Sequence, residues 1–260
     1  VGLEPYPIAL RTVNWIKFLS DLNVNSQNGI NSKTYTETIN EINASIYAQY
    51  KILLANLEYH LMGNHLLEDG FSLLFGAFYF KDKILYRKAS EILESELSEQ
   101  ILNDGGHFEL SPMYHQIILD KLLDSINLLK NNIRFEEQES LLKTMEGKAK
   151  KMLFWLKSMT FSNGDIPLFN DSAMNTAPSS SELFEYATRI GITTDDFQNQ
   201  IALFDSGYRR FNAPNYECII DIGDIGPLYQ PGHAHADTFS FVLNIKNSKC
   251  IVDTGISTYE

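Results

Sequence analysis

Near Gln200 the spacing of apolar residues changes from the three-to-four step of a helix to the two-step of a strand, and this break constrains the fold most. Upstream, Ile8, Leu10, Val13, Ile16, Phe18 and Leu19 predict a helix over Pro7 to Leu22, with a proline suited to its first turn. Ser32 or Thr34 caps a long helix reaching Leu61, with Ile39, Ile42, Ile46, Tyr50, Leu53 and Leu57 on one stripe. Further helices are predicted over Asn64–Tyr79, Ile84–Leu102, from Ser111-Pro112 through Leu129, over Ser140–Met159 and over Ser180–Ile190. Their links are short and polar, as in Lys81-Asp82-Lys83. Repeated pairs of this kind suggest αα-hairpins wound into a toroid or incomplete α/α barrel, although a helical solenoid fits the pattern equally.

Downstream, Tyr208–Phe211, Tyr216–Ile222, Thr238–Ile245 and Lys249–Asp253 are β-branched or aromatic and are separated by turn formers. Phe239, Phe241 and Leu243 alternate with Ser240, Val242 and Asn244, so an apolar face through the phenylalanines is expected. The links are too short for helical crossovers, which makes the sheet antiparallel. The expected organisation is a helical toroid domain over residues 1–200 and the first strands of an antiparallel β-sandwich over 201–260. The last strand runs into a turn only five residues before the end, so the chain reads as a piece of a longer protein.

A formal net charge of -12 argues against a nucleic-acid binder but not against an anionic sugar, since screening lets a local cationic or amide cluster dominate a cleft. No apolar run is long enough to span a bilayer. Cys218 and Cys250 make no disulfide framework and read as buried free thiols rather than a bridge between neighbouring strands.

Three stretches could carry chemistry. In Gly232-His233-Ala234-His235-Ala236-Asp237 the two histidines of an extended segment point the same way, which suits a metal or a catalytic pair. The His-x-His-x-Asp spacing also occurs in metallo-β-lactamase-type hydrolases, but Thr238 stands where that motif has its next histidine. Asn64-His65 with Glu68 opens a helix, and His65 and Glu68 share one face, an arrangement that an ordinary cap and first-turn acid would also produce. Glu109, Ser111, Tyr114 and His115 follow the Gly105-Gly106 turn; a tyrosine on such a helix is more often core than catalytic.

In this order, and followed by the strand ending Asp253-Thr254-Gly255, the three stretches resemble heparinase II/III-like polysaccharide lyases and the related alginate lyases. The resemblance runs from the Glu4–Trp15 segment to the chain end. It implies an α/α toroid joined to an antiparallel β-sandwich and cleavage of uronic-acid-containing polysaccharide by β-elimination. Asn64 and His65 would contact the substrate carboxylate, with Glu68, Glu109 and His115 beside the substrate. Tyr114 would be the general acid, and the base too when the eliminated groups are syn, with His233 the base or an assisting group. His235 and Asp253 would be two ligands of a structural zinc whose third ligand lies beyond residue 260. The implied partner is an acidic polysaccharide or oligosaccharide, and the implied setting is periplasmic or cell envelope.

These residue types suit the chemistry. A uronate lyase removes the proton beside a carboxylate and expels the glycosidic oxygen. An uncharged amide can spread the carboxylate charge without titrating, histidine matches a base near neutral pH, and tyrosine can protonate the leaving oxygen. Two other classes use the same fold signals. An α/α-barrel glycoside hydrolase would draw two carboxylates from Glu68, Asp69 and Glu109, and a carbohydrate-binding protein would bind without turnover.

Overall fold

The computed structural model describes residues 2–25, 33–193, 201–227, 229 and 232–255. Seven helices precede four strands among them: α1 Pro5–Asn25, α2 Lys33–Ala55, α3 Gly63–Phe80, α4 Lys83–Gln100, α5 Pro112–Asn131, α6 Gln138–Met159 and α7 Ser180–Arg189, then β1 Tyr208–Ala213, β2 Tyr216–Asp221, β3 Phe241–Ile245 and β4 Ser248–Ile251. The chain forms two compact units, Val1–Glu96 with Leu128–Leu141, and Leu97–Asn127 with Leu142–Glu260. No helix among the described residues is long and apolar enough to cross a membrane.

In the first unit α1 packs on α3 and α2. Ile8, Val13, Ile16 and Leu19 of α1 are buried, as the periodicity predicts. Helix α3 is buried over most of its length and apolar on nearly every side, the pattern of a central helix rather than a surface one. Close packing there depends on Gly76, where a Cβ would stand 2.6 Å from the Tyr50 ring. Helix α2 stops at Ala55, short of the predicted Leu61. The Asn56 amide caps the Ile52 carbonyl at 2.8 Å, and the Glu58 N–H donates to the Asp69 carboxylate at 3.0 Å. Met62 then turns left-handed (φ 57°), redirecting the chain into α3.

In the second unit the strands form one antiparallel sheet in the order β1-β2-β3-β4. Its covered face carries Tyr208, Arg210, Glu217, Ile219, Asp221, Val242 and Asn244. This reverses the expected facing. Phe239 and Phe241 are exposed, whereas Val242 and Asn244 are buried. The reason lies at the start of β3: Ser240 N–H bonds to Asp237 O at 2.7 Å and Phe239 is left-handed (φ 69°), so Thr238–Ser240 is a turn that precedes the strand. Apolar packing on the covered face comes from Tyr208, Ile219 and Val242 against Trp155, Met159, Phe161, Phe169 and Leu203. Cys218 on β2 is half-buried and Cys250 on β4 is exposed. Both are free and β3 lies between their strands, so only Cys218 has part of the burial expected.

The sheet is joined to the end of α6 by a charged residue. Arg210 Nη1 donates to the carbonyls of Ser158 and Thr160 at 2.8 and 2.7 Å, where helix carbonyls lack partners. Its Nη2 bonds Glu217 Oε1 at 2.5 Å, and the Glu217 carboxylate also accepts the Ser162 N–H at 3.0 Å. Removing one member of such a buried pair strands the other charge. Glu217→Ala is expected to destabilise the protein by about 3 kcal/mol, seen as a lowered urea midpoint; a loss under about 0.5 kcal/mol would contradict this role.

Candidate active site

Tyr114 owes its position to the start of α5. Leu110 is left-handed (φ 56°), Ser111 caps the helix by accepting the Tyr114 N–H at 3.3 Å, and Pro112 occupies the first turn, where a missing N–H costs little. The half-buried Tyr114 ring lies against His233, with ring centroids 3.9 Å apart and planes tilted by 30°.

His233 lies in an irregular turn, so the segment is not the extended strand that the sequence suggests. Its Nδ1 donates to Asp171 Oδ2 at 2.9 Å, and its Nε2 lies 3.8 Å from Glu109 Oε2, beyond ordinary hydrogen-bond reach. Two residues hold the whole stretch. Asp171 N–H donates to the His233 carbonyl at 3.0 Å. The Asn170 side chain accepts the His235 N–H at 3.0 Å and donates to Leu110 O at 3.0 Å, while its own N–H bonds the Asp237 carboxylate. Ser111 Oγ closes the arrangement by donating to Asp171 O at 3.0 Å. The cap that places Tyr114 and the dipeptide that places His233 are thus one network. Sequence reasoning missed Asn170 and Asp171; the only local signal was an Asn-Asp-Ser run in a stretch without periodicity.

Glu109 and His115 separate from this pair in different ways. Glu109 is buried, with Oε2 3.9 Å from His107 Nδ1 as well as near His233. His115, one residue beyond Tyr114, points into the core. It stacks on Trp155, its Nε2–H donates to Met152 O at 3.0 Å, and its Nδ1 accepts the His107 N–H at 3.3 Å. No ring nitrogen is left for a substrate. The turn before it needs glycine at residue 105, since a Cβ there would stand 2.1 Å from the Lys151 carbonyl and φ is +93°.

His235 and Asp253 both lie outside strands, at the same end of the β3–β4 hairpin. Both ring nitrogens of His235 are buried without a hydrogen-bond partner among the described residues. Such orphaned donors are rare and call for an explanation. Acids gather nearby: burial pushes Asp221 up to about 6, with the Asp237 charge adding to it, and burial followed by the Asp253 charge raises Asp237 while His235 lowers it. Among the described residues no group of three His, Cys, Asp or Glu side chains converges as a complete metal site.

Asn64, His65 and Glu68 belong to the first unit, at the start of α3. Asn64 and Glu68 are buried. His65 is partly exposed, its Nδ1 lies 3.2 Å from the buried Glu58 carboxylate, and its ring packs against Tyr6 at 4.6 Å. Asp69 behind them is pushed up to about 7 by burial, with Glu58 and Glu68 adding to the shift.

The family descriptions "Heparinase II/III N-terminus" and "Heparinase II/III-like, C-terminal" match residues 9–196 and 198–260. A heparin-sulfate lyase of Pedobacter heparinus is 27% identical over 223 residues, 77% of this chain and 33% of that protein. One of Bacteroides stercoris is 31% identical over 121 residues, 45% of this chain and 18% of that protein. The crystal structure of heparan sulfate lyase HepC from Pedobacter heparinus superposes on 99% of this chain (TM-score 0.67, 21% identity), covering 41% of that structure. Heparinase III superposes on 98% (TM-score 0.70, 17% identity), covering 43%. The chain therefore spans a third or less of the length of these curated relatives. It has the fold of those structures, helix pairs of an incomplete α/α toroid followed by antiparallel strands of a β-sandwich.

The buried histidines tie the unit's stability to pH. Burial depresses His107 and His115 to about 3, with the neighbouring histidine charges adding to the shift at His107. An unfolded chain would take up protons near 6.5, the ordinary imidazole value, while the folded rings stay neutral, so their contribution is complete above that pH and is lost progressively as pH falls from there through about 3. Asp221, raised to about 6, acts in the opposite sense over the acid range. The test is therefore a difference: H107Q/H115Q is expected to lose less thermal stability than the parent between pH 7 and pH 5, and equal losses would contradict the assignment.

Proposed function

Because the chain belongs to the heparinase II/III family, we propose that it forms part of a polysaccharide lyase that cleaves an acidic, uronate-containing polysaccharide by β-elimination. The observation that carries this reading is the apposed pair of Tyr114 and His233, a phenol and an imidazole that share one network and keep part of their surface exposed. The names of the relatives, both heparin-sulfate lyases, support a sulfated uronate polymer as the substrate class.

His233, with Nδ1 engaged by Asp171, has Nε2 available to take the proton beside the uronate carboxylate. Tyr114 beside it would protonate the departing glycosidic oxygen. Neither step needs a covalent intermediate. Asn64 and His65 are assigned to the substrate carboxylate on the family resemblance, as an amide and an imidazole that can donate to it. On the same resemblance Glu68 and Glu109, both buried, are assigned to substrate binding. A location in the periplasm or cell envelope belongs to the same proposal.

A structural zinc fits part of what is present. The orphaned nitrogens of His235 and the neighbouring acids offer an imidazole and carboxylate donor set, with His235 and Asp253 as the residues that would hold the ion. Such an ion would brace the turn bearing His233. His235→Ala in the full-length protein is expected to abolish stoichiometric zinc by metal analysis. Unchanged zinc content would remove His235 from the site.

Tyr114→Phe in the full-length protein is expected to lower kcat for unsaturated-uronate formation by about 10²–10⁴-fold with little change in KM. Near-normal turnover would overturn the assignment of the acid.

A further inference from the structure

We propose that Asp171 is a positioning residue for the elimination: it fixes the ring orientation and tautomer of His233 so that Nε2 is the nitrogen that receives the proton. The proposal rests on reading His233 as the base or its assistant.

The geometry supports it at three points. First, Asp171 Oδ2 lies 2.9 Å from His233 Nδ1, and both side chains are mostly covered, with 25% and 21% exposure. A carboxylate oxygen accepts, so the proton of the neutral ring resides on Nδ1 and the lone pair on Nε2. Second, the two residues are bonded twice. Asp171 N–H to His233 O and His233 Nδ1–H to Asp171 Oδ2 close a ring of hydrogen bonds that fixes both backbone and side chain. Third, Asp171 has little freedom of its own. Its carbonyl accepts Ser111 Oγ, and the preceding Asn170, left-handed at φ 54°, is tied to Leu110, His235 and Asp237. The Tyr114 ring then sets the plane of the imidazole. Nε2 faces the Glu109 carboxylate at 3.8 Å, beyond hydrogen-bond reach and much farther than the 2.9 Å of the Asp171 contact, so the proton stays on Nδ1 and the Nε2 lone pair faces outward to a substrate proton.

A merely structural Asp171 would tolerate an amide, because asparagine preserves the size and every backbone bond. An amide, however, can donate or accept at that position, so the tautomer is no longer selected. In the full-length protein, D171N is expected to lower kcat on heparan sulfate by about 100-fold while KM changes little. Nitrogen-15 spectra of the labelled His233 ring should change from the Nδ1–H form to a mixture containing Nε2–H. Wild-type kcat in D171N overturns the proposal, and so does an unchanged Nδ1–H signal. If D171N does not fold, D171E, which keeps the acceptor, is read on the same signal: loss of the Nδ1–H form there also overturns it. His233→Gln separates the two levels. Full turnover in H233Q would sink the base assignment itself, whereas the tautomer spectra report on Asp171 whatever His233 does in catalysis.

Discussion

The hydrogen bonds made by Asn170 and Asp171 are the constraint on which the candidate site depends. Neither the turn at His233 nor the cap at Ser111 has regular structure to hold it, and irregular backbone that is partly buried must find its partners one at a time. Asn170 uses its backbone N–H and both ends of its amide, on Asp237, His235 and Leu110. Asp171 uses its backbone at both ends and its carboxylate, on His233 and Ser111. Two adjacent residues thereby set three segments that are some sixty residues apart in the chain.

A recurring arrangement follows from this. Each unit contains a histidine whose Nδ1 faces a carboxylate, His233 with Asp171 and His65 with Glu58. In each, one nitrogen is engaged inside the protein, which is how a scaffold chooses the ring edge it presents. The contrast with His107 and His115 is instructive. Those rings are fully buried, and burial holds them neutral, with His115 committed to the core at both nitrogens. Position in a motif did not distinguish His115 from Tyr114, but one step along a helix turns a side chain by a large angle, here from a half-covered site into the packing around Trp155.

Much of the architecture was legible in the sequence because it depends on local rules. The apolar stripes of α1, the start of α7 at Ser180, and the short turn-flanked strands follow from spacing and propensity. The facing of β3 was not legible, because a turn at Asp237–Ser240 and the buried polar residues Glu217 and Asn244 overrode the simple alternation. The end of α2 was missed because its signal is a bond from Glu58 to Asp69, eleven residues away. Tyr114 and His233 could be singled out by motif. Their apposition, and the part played by Asn170 and Asp171, depend on contacts between distant segments that no periodicity encodes.

The central claim is that Tyr114 and His233 form the acid–base pair of an eliminating enzyme. Product chemistry tests it most directly, with the full-length protein acting on heparan sulfate and the new non-reducing ends examined by mass and ultraviolet absorbance. Elimination leaves an unsaturated uronate that lacks the elements of water relative to a hydrolysis product, and this is the expected result. Saturated ends, carrying the added water and no new absorbance, would contradict the account and point instead to a hydrolase using paired carboxylates.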